Sequence, residues 1–587
     1  MINPRTHEAA ASSGTRVVHR YEANATDAAT IDVDPVTTEV VRHALLSAAE
    51  QMKRALVRTA FNPIIYEVQD FAVAIYDRHV RLLSQALGMQ HFMGRLGFGI
   101  EACVAAIGGE QNLEPGDILF YNVPYLSGAH ANDAAVLMPV FVDGELVGYT
   151  AITAHWLDVG GKDPYSTDTV DVFQEGTLFP GVKLYRAGER DDGIYRTLLA
   201  NCRVPKLLAG DLDAEIVGLR TGAAAFARIV ERHGRDVFES VVERMLDHGE
   251  ATVRAFFERI PDGRYVARAV LDDDGVGDEE IPFEVIVEVE GSSVRVDFTA
   301  VPDALPGPLN CPLPGTFSST RMALMMLAGG GEAPNDGQFR PIEVVTRPGS
   351  MFHPLPPAPC FLYGWPFLQS TEAMYHALGS AVPEVAPAWS GGDILTIVWW
   401  GNRKATGEPW ADASPHPIGQ GASARGDGAS ALMHHLQSAT RFSPVEVWES
   451  RDPWLVERIE LAPDSGGPGR HRGGLGLDFV FFVLEQLNIT SVIERTKNPP
   501  LGLVGGGEGR ANGATIEYPD GRRVAVAKDT RVPLPEGTRV ELRCGGGGGF
   551  GPPEERDPTA VLADLREGYI SEDHARRWYP HALRDGA

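Results

Sequence analysis

The stretch GAHANDAAVLMPVFVDGELVGYTAITAHWLDVGG, residues 128–161, carries the decisive reading of this chain. Two apolar runs, Ala134 to Val142 and Leu146 to Ala154, flank Asp143-Gly144, a dipeptide that favours a two-residue hairpin turn. If Val142 faces Glu145, an uninterrupted register sets Asp133 opposite Ala154 and His130 opposite Leu157. Both HxxD triplets, His130/Asp133 and His155/Asp158, then fall at the open end of one hairpin. Cross-strand neighbours stand about 5 Å apart, so two imidazoles and two carboxylates can share one ion at bonds of roughly 2.0–2.2 Å. Such a mixed nitrogen and oxygen set suits zinc, manganese, iron or cobalt better than calcium or magnesium. Residues three apart point to opposite faces of a flat strand, so each triplet must lie in a turn or bulge, which Gly128 and Gly160-Gly161 permit. The plainer alternative is a pair of histidines at a hairpin mouth, hydrogen-bonded to their neighbouring aspartates.

Outward from the hairpin, DPVTTEVVRHALLSAAEQMKRALVRTAF reads as a helix capped by Thr37 or Thr38, with Val40, Val41, Ala44, Leu45, Ala48, Met52, Ala55 and Leu56 at helical spacing. Phe71 to Leu83 alternates like a strand pair around Asp77 and Arg78, and Gly94 to Ile107 and Leu212 to Met245 read as helices. From about Gly263, RYVARAVLDDDG, PFEVIVEVEG and SSVRVDFTA are short alternating runs separated by Asp/Gly turns, the pattern of antiparallel strands. Glycine- and proline-dense blocks follow, among them IGQGASARGDG, PDSGGPGRHRGGLG and RCGGGGGFGPP; with no fixed period, they read as separate tight loops. The expected fold class is α+β, a mixed multi-domain chain. The expected division is a flexible leader over 1–34, a mixed α/β domain with the metal site over 35–260, a β-rich domain over 261–500, and a small β unit with a C-terminal helical segment over 501–587.

Composition narrows the function. A net charge of −27, with no Lys/Arg-rich run, repels phosphate backbones and excludes nucleic acid as the expected ligand. The five cysteines form no CxxC pair, which signals neither a zinc cluster nor a disulfide framework and suits a reducing cytoplasm. No run of about 18 apolar residues exists to span a membrane. Gly546, Gly548 and Gly551 match GxGxxG formally, but Pro552-Pro553 follows where a dinucleotide site needs a helix start. Other carboxylates and imidazoles are weaker candidates. Glu175, in DVFQEG, can serve as a general base on water held by the metal or as a loop carboxylate bound to backbone donors. Glu67, Asp70 and His91 can add a ligand, a proton acceptor or a helix cap.

The order of blocks DPVTTEVVRHALLSAAEQMKRALVRTA, GAHANDAAVLMPVF, AHWLDVGG, FQEG, ANCRVPKLLAGDL, VDFTA, NDGQFRPIEV, GASARGDG, PDSGGPGRHRGGLG and RCGGGGGFGPPEERDP resembles the hydantoinase B/oxoprolinase family, from about residue 34 to about 580. That family includes B subunits of ATP-dependent hydantoinases, the C-terminal half of 5-oxoprolinases, and subunits of acetone and acetophenone carboxylases. The resemblance implies a cytoplasmic hetero-oligomer in which a separate A-type subunit uses ATP to phosphorylate a cyclic amide. This chain would then complete ring opening at a divalent transition metal held by His130, Asp133, His155 and Asp158, with Glu175 or Asp158 moving the proton. Two departures, EVQDFAV for ERxDFS and MQHFMG for PVHLG, leave Glu67, Asp70 and His91 without an assigned role. Ketone carboxylation, and a non-catalytic scaffold for the ATP-using partner, are the alternatives.

Overall fold

Asp34 starts the first long helix. Its carboxylate accepts the Thr37 amide at 3.0 Å, and Pro35 fills the first helical position, where a missing N–H costs nothing. The helix runs Pro35–Thr59, so the expected cap, Thr37 or Thr38, lies inside it. The structure, a computed structural model, describes residues 16–19, 31–92, 94–329, 334–437 and 439–583. Most of the expected leader over 1–34 therefore lies outside the described residues, while Val17–His19 within it forms a strand.

The chain folds into two compact units, and the first takes residues 1–164, 170–264 and 286–364. Its centre is a seven-stranded antiparallel sheet ordered Leu82–Gln85, Phe71–Asp77, Glu145–His155, Asp133–Val142, Ile118–Tyr121, Pro180–Arg186, Glu189–Arg190. Alternation assigns Val73, Ile75, Ala134, Val136, Ile152 and Ala154 to one core. Ala72, Ala74, Tyr76, Ala135, Leu137 and Tyr149 go to the other. Both faces are covered, so the strands read as nearly continuous apolar runs. The helices Pro35–Thr59, Pro205–His233 and Arg235–Phe257 pack on the first face, and Leu96–Ala106 on the second. Close packing depends on small residues, since a Cβ at Gly222 would meet the Met52 side chain at 2.3 Å. The single helical stretch expected over Leu212 to Met245 is two helices, broken at Gly234, whose φ of +80° an L side chain rarely adopts.

The central hairpin departs from the uninterrupted register. Val142 pairs with Glu145 and Phe141 with Leu146, but Val140 then pairs with Gly148, so Val147 is an extra residue in a bulge. Every pair beyond it slips by one. Asp133 therefore stands opposite His155, where the regular register would have set it opposite Ala154.

The second unit, residues 165–169, 265–285 and 365–587, contains a four-stranded and a five-stranded sheet. They enclose an aromatic core that includes Trp399, Trp448, Trp454, Phe479 and Phe481. Its glycine blocks are not separate loops. Gly547 donates to Gly474 O at 2.9 Å, Gly548 to Trp389 O at 2.7 Å and Gly549 to Gly507 O at 2.9 Å, so three consecutive residues bond three different segments. That threefold spread suits extended chains with three residues per turn, bundled through their backbones. A Cβ at Gly546, Gly547 or Gly473 would lie 1.8, 1.9 or 1.9 Å from a carbonyl oxygen of a neighbouring segment, which is why the blocks are glycine. The C-terminal segment forms helices Pro558–Arg566 and Glu572–Trp578. Among the described residues, no helix is long and apolar enough to cross a membrane.

Candidate metal centre

Three of the four expected ligands converge in the first unit. Gly128, at φ +74°, closes the short helix Pro124–Ser127 and turns the chain so that His130 precedes the strand beginning at Asp133. His155 is the last residue of the opposite strand, and its amide donates to Asp70 O at 3.1 Å. His130 Nε2 lies 3.0 Å from Asp133 Oδ1 and 3.1 Å from His155 Nδ1, and His155 Nδ1 lies 3.0 Å from the same Asp133 oxygen. All three residues are buried. Burial alone would raise the Asp133 carboxyl, but the two imidazoles hold it well below the usual carboxylate range.

The protons decide what this triangle can hold. His130 Nδ1 is 2.9 Å from Phe361 O, a carbonyl that can only accept, so the ring proton sits on Nδ1 and the neutral ring offers its Nε2 lone pair to Asp133 and His155. With His155 in the tautomer that leaves Nδ1 unprotonated, three acceptor atoms about 3 Å apart would face one point, and that spacing fits ligands bound at roughly 2.0–2.2 Å to one ion. A histidine whose outer nitrogen donates to a carbonyl is the usual partner of a metal.

Asp70 lies close enough to feel the charges of His155 and Asp133. It follows Gln69, at φ +65°, which ends a π-helical turn over Ile64–Val68. Burial pushes its carboxyl up to about 7 against the pull of His155, with the Asp133 charge raising it further. Its Oδ1 is buried without a hydrogen-bond partner, at a place where desolvation is costly. In sequence Asp70 stands out only as the end of EVQDF; the contact with His155 comes from pairing of the strands Phe71–Asp77 and Glu145–His155.

The remaining expected site residues go elsewhere. Asp158 receives the Arg203 backbone amide and guanidinium and the Gly160 amide at 3.1 Å, and is not part of the three-residue group. Glu175 Oε1 accepts the Cys360 and Phe361 amides at 2.7 and 2.8 Å. That is the loop-carboxylate arrangement, and it braces the segment whose Phe361 carbonyl fixes His130. His91 Nε2 lies 3.1 Å from the Tyr363 phenol, and Glu67 lies within the π-helical turn. Burial pushes the Cys311 thiol up to about 12 and raises the other four, which removes cysteine as a ready nucleophile.

Among the described residues a second group, Glu372, His434 and His435 in the second unit, has donor atoms within 4.8 Å of one another. Its proton pattern is the reverse of the first. The Leu436 amide donates to His434 Nδ1 at 3.2 Å, so the proton of the neutral ring sits on Nε2, 3.3 Å from Glu372 Oε1. The Arg495 guanidinium is 3.9 Å from the other oxygen of Glu372. The Ser390 amide, at 3.0 Å, and the Ser390 hydroxyl already donate to Glu372 Oε1 and an arginine faces the other oxygen, so the first group is the better candidate for a metal.

The chain as a whole has counterparts among known proteins. A caprolactamase subunit beta of Pseudomonas jessenii is 30% identical over 561 residues, 93% of this chain and 96% of that one. The crystal structure of the ATP-dependent caprolactamase from Pseudomonas jessenii superposes with a TM-score of 0.86 at 28% identity, covering 94% of this chain and 96% of that one. A nucleotide-free acetone carboxylase shares the fold, with a TM-score of 0.83 at 18% identity over 93% of this chain and 79% of that one. Residues 34–553 match the hydantoinase B/oxoprolinase family over nearly the whole described chain, and the protein belongs to that family.

Proposed function

We propose that the chain is the metal-dependent B-type subunit of an ATP-dependent cyclic amide hydrolase, completing the opening of a ring amide that an A-type partner has phosphorylated. The observation that carries this reading is the triangle of His130 Nε2, Asp133 Oδ1 and His155 Nδ1 with 3.0–3.1 Å edges. The likeness to the caprolactamase chain, over 96% of its length, supports a lactam-type ring and a second subunit. His130, Asp133 and His155 would hold a divalent transition metal, zinc, manganese or iron, with Asp70 as the further carboxylate. When bound, the metal supplies Lewis acidity that polarises an oxygen of the substrate or of water at neutral pH. Phe361 O keeps the His130 ring in the tautomer that offers Nε2. Asp158 and Glu175 hold the walls, Asp158 by fixing the segment at Arg203 and Glu175 by fixing that at Cys360 and Phe361. Burial of all three ligands keeps bulk water from competing for them.

The test is an ATP-consumption screen on the chain reconstituted with its A-type partner, offered hydantoins, 5-oxoproline, larger lactams, and ketones with bicarbonate. The expected result is ring opening coupled to ATP use, abolished in His130→Ala while nucleotide binding by the partner persists. Unchanged turnover in His130→Ala removes the metal from the mechanism, and carboxylation of a ketone replaces the hydrolase reading.

A further inference from the structure

Asp133 uses its two oxygens differently. Oδ1 faces His130 and His155, whereas Oδ2 receives the Tyr363 hydroxyl at 2.9 Å and has the Arg95 guanidinium 3.6 Å away. A phenol has one proton, and here it goes to a carboxylate, so the Tyr363 oxygen must accept from its other neighbours. Those are His91 Nε2 at 3.1 Å and Arg95 Nη1 at 3.4 Å. Arg95 is held in turn by Gly128 O at 2.9 Å and lies over the Phe92 ring at 4.0 Å. The Tyr363 ring also packs against His130, with centroids 5.4 Å apart at 77°. Its place in the chain is equally constrained, two residues after the Phe361 carbonyl that sets the His130 tautomer and close to the amides braced by Glu175.

We propose that Tyr363 is a positioning residue of the metal centre. Supported by His91 and Arg95, its phenol occupies Asp133 Oδ2, so that the carboxylate presents Oδ1 alone to the ion. This rests on the metal-centre reading of His130, Asp133 and His155. Without the hydroxyl, Asp133 is free to rotate and to offer both oxygens, and the outer-sphere support that usually strengthens a ligand is lost. Tyr363→Phe keeps the ring and its packing and removes only the hydroxyl, with its bonds to Asp133, His91 and Arg95.

The experiment measures zinc and cobalt(II) affinity by chelator competition on the full-length wild-type, Tyr363→Phe and His130→Ala chains, with folding checked by circular dichroism. The cobalt(II) visible spectrum is the second readout. Tyr363→Phe is expected to bind 10- to 100-fold more weakly, with a changed cobalt spectrum, while His130→Ala binds no metal at this centre. If Tyr363→Phe does not fold, His91→Phe and His91→Gln answer the same question. His91→Gln keeps an N–H donor toward the phenol and should bind metal more tightly than His91→Phe. Metal affinity within twofold of wild type and an unaltered cobalt spectrum in Tyr363→Phe overturn the inference alone, as does equal affinity in the two His91 variants. A wild-type chain that takes up no metal overturns the metal-centre reading, and this inference with it.

Discussion

A single hydrogen bond at each of two histidines distinguishes the candidate metal centre from the Glu372 group. At His130 the outer nitrogen donates to a carbonyl and the inner one offers a lone pair; at His434 the amide of Leu436 reverses that order. The same logic predicts a structural role for Asp158, which is 2% exposed and bonded to Arg203. Asp158→Asn should lower stability by about 1–3 kcal/mol yet keep metal content within twofold of wild type; loss of the metal would make Asp158 a ligand after all. Glu372 gives a pH signature. Burial would raise its carboxyl, but His434, His435 and Arg495 hold it at about 2, below the ordinary 4.5. A depressed carboxylate stabilises fully above its unfolded value and loses that contribution as pH falls toward the folded one. Glu372→Gln should therefore be less stable than wild type at pH 7, with the difference closing as pH drops from about 4.5 to about 2. A difference that stays constant across that window contradicts the assignment.

Among the elements, the hairpin was legible because Asp143-Gly144 and two alternating runs leave little choice, and the turn forms with both residues at positive φ. The bulge at Val147 was not legible. Its neighbour Gly148 comes so close to Tyr76 O, 2.2 Å from where a Cβ would sit, that the register answers to a third strand the local pattern cannot see. The glycine blocks were misread for a similar reason, because a run of glycines says nothing about which distant segment it touches. Their bundle makes a sharp prediction. Gly547→Ala would put a Cβ 1.9 Å from Gln420 O and should cost several kcal/mol or prevent folding, whereas Gly277→Ala, exposed and with its nearest atom at 3.6 Å, should be close to neutral in the same thermal melts. Equal melting of the two variants argues against the bundle.

At the scale of the whole molecule, the proposed metal centre predicts a link between metal and folding in the first unit. If His130, Asp133 and His155, all buried, hold an ion that binds only the folded state, that ion must raise stability, by about 2.7 kcal/mol at a hundredfold excess over its dissociation constant. Two compact units need not melt together, and calorimetry should show one transition moving with zinc or manganese while the other stays. In His130→Ala neither transition should move. A wild-type profile unaffected by metal or by chelator counts against the centre.

The order of the blocks determined the family by itself, and Asp143-Gly144 with the two HxxD triplets pointed to the hairpin mouth where His130, Asp133 and His155 meet, because turn residues and alternation act over a few positions of chain. Only the tertiary structure decided which carboxylate stands with the two histidines, Asp133 and not Asp158. Asp158 turned to Arg203, Asp70 came up just ahead of the strand Phe71–Asp77, and Tyr363 approached Asp133 across 230 positions of chain. Those choices depend on burial and on the sharing of protons among groups far apart in sequence, and neither quantity exists until the sheet has closed around them.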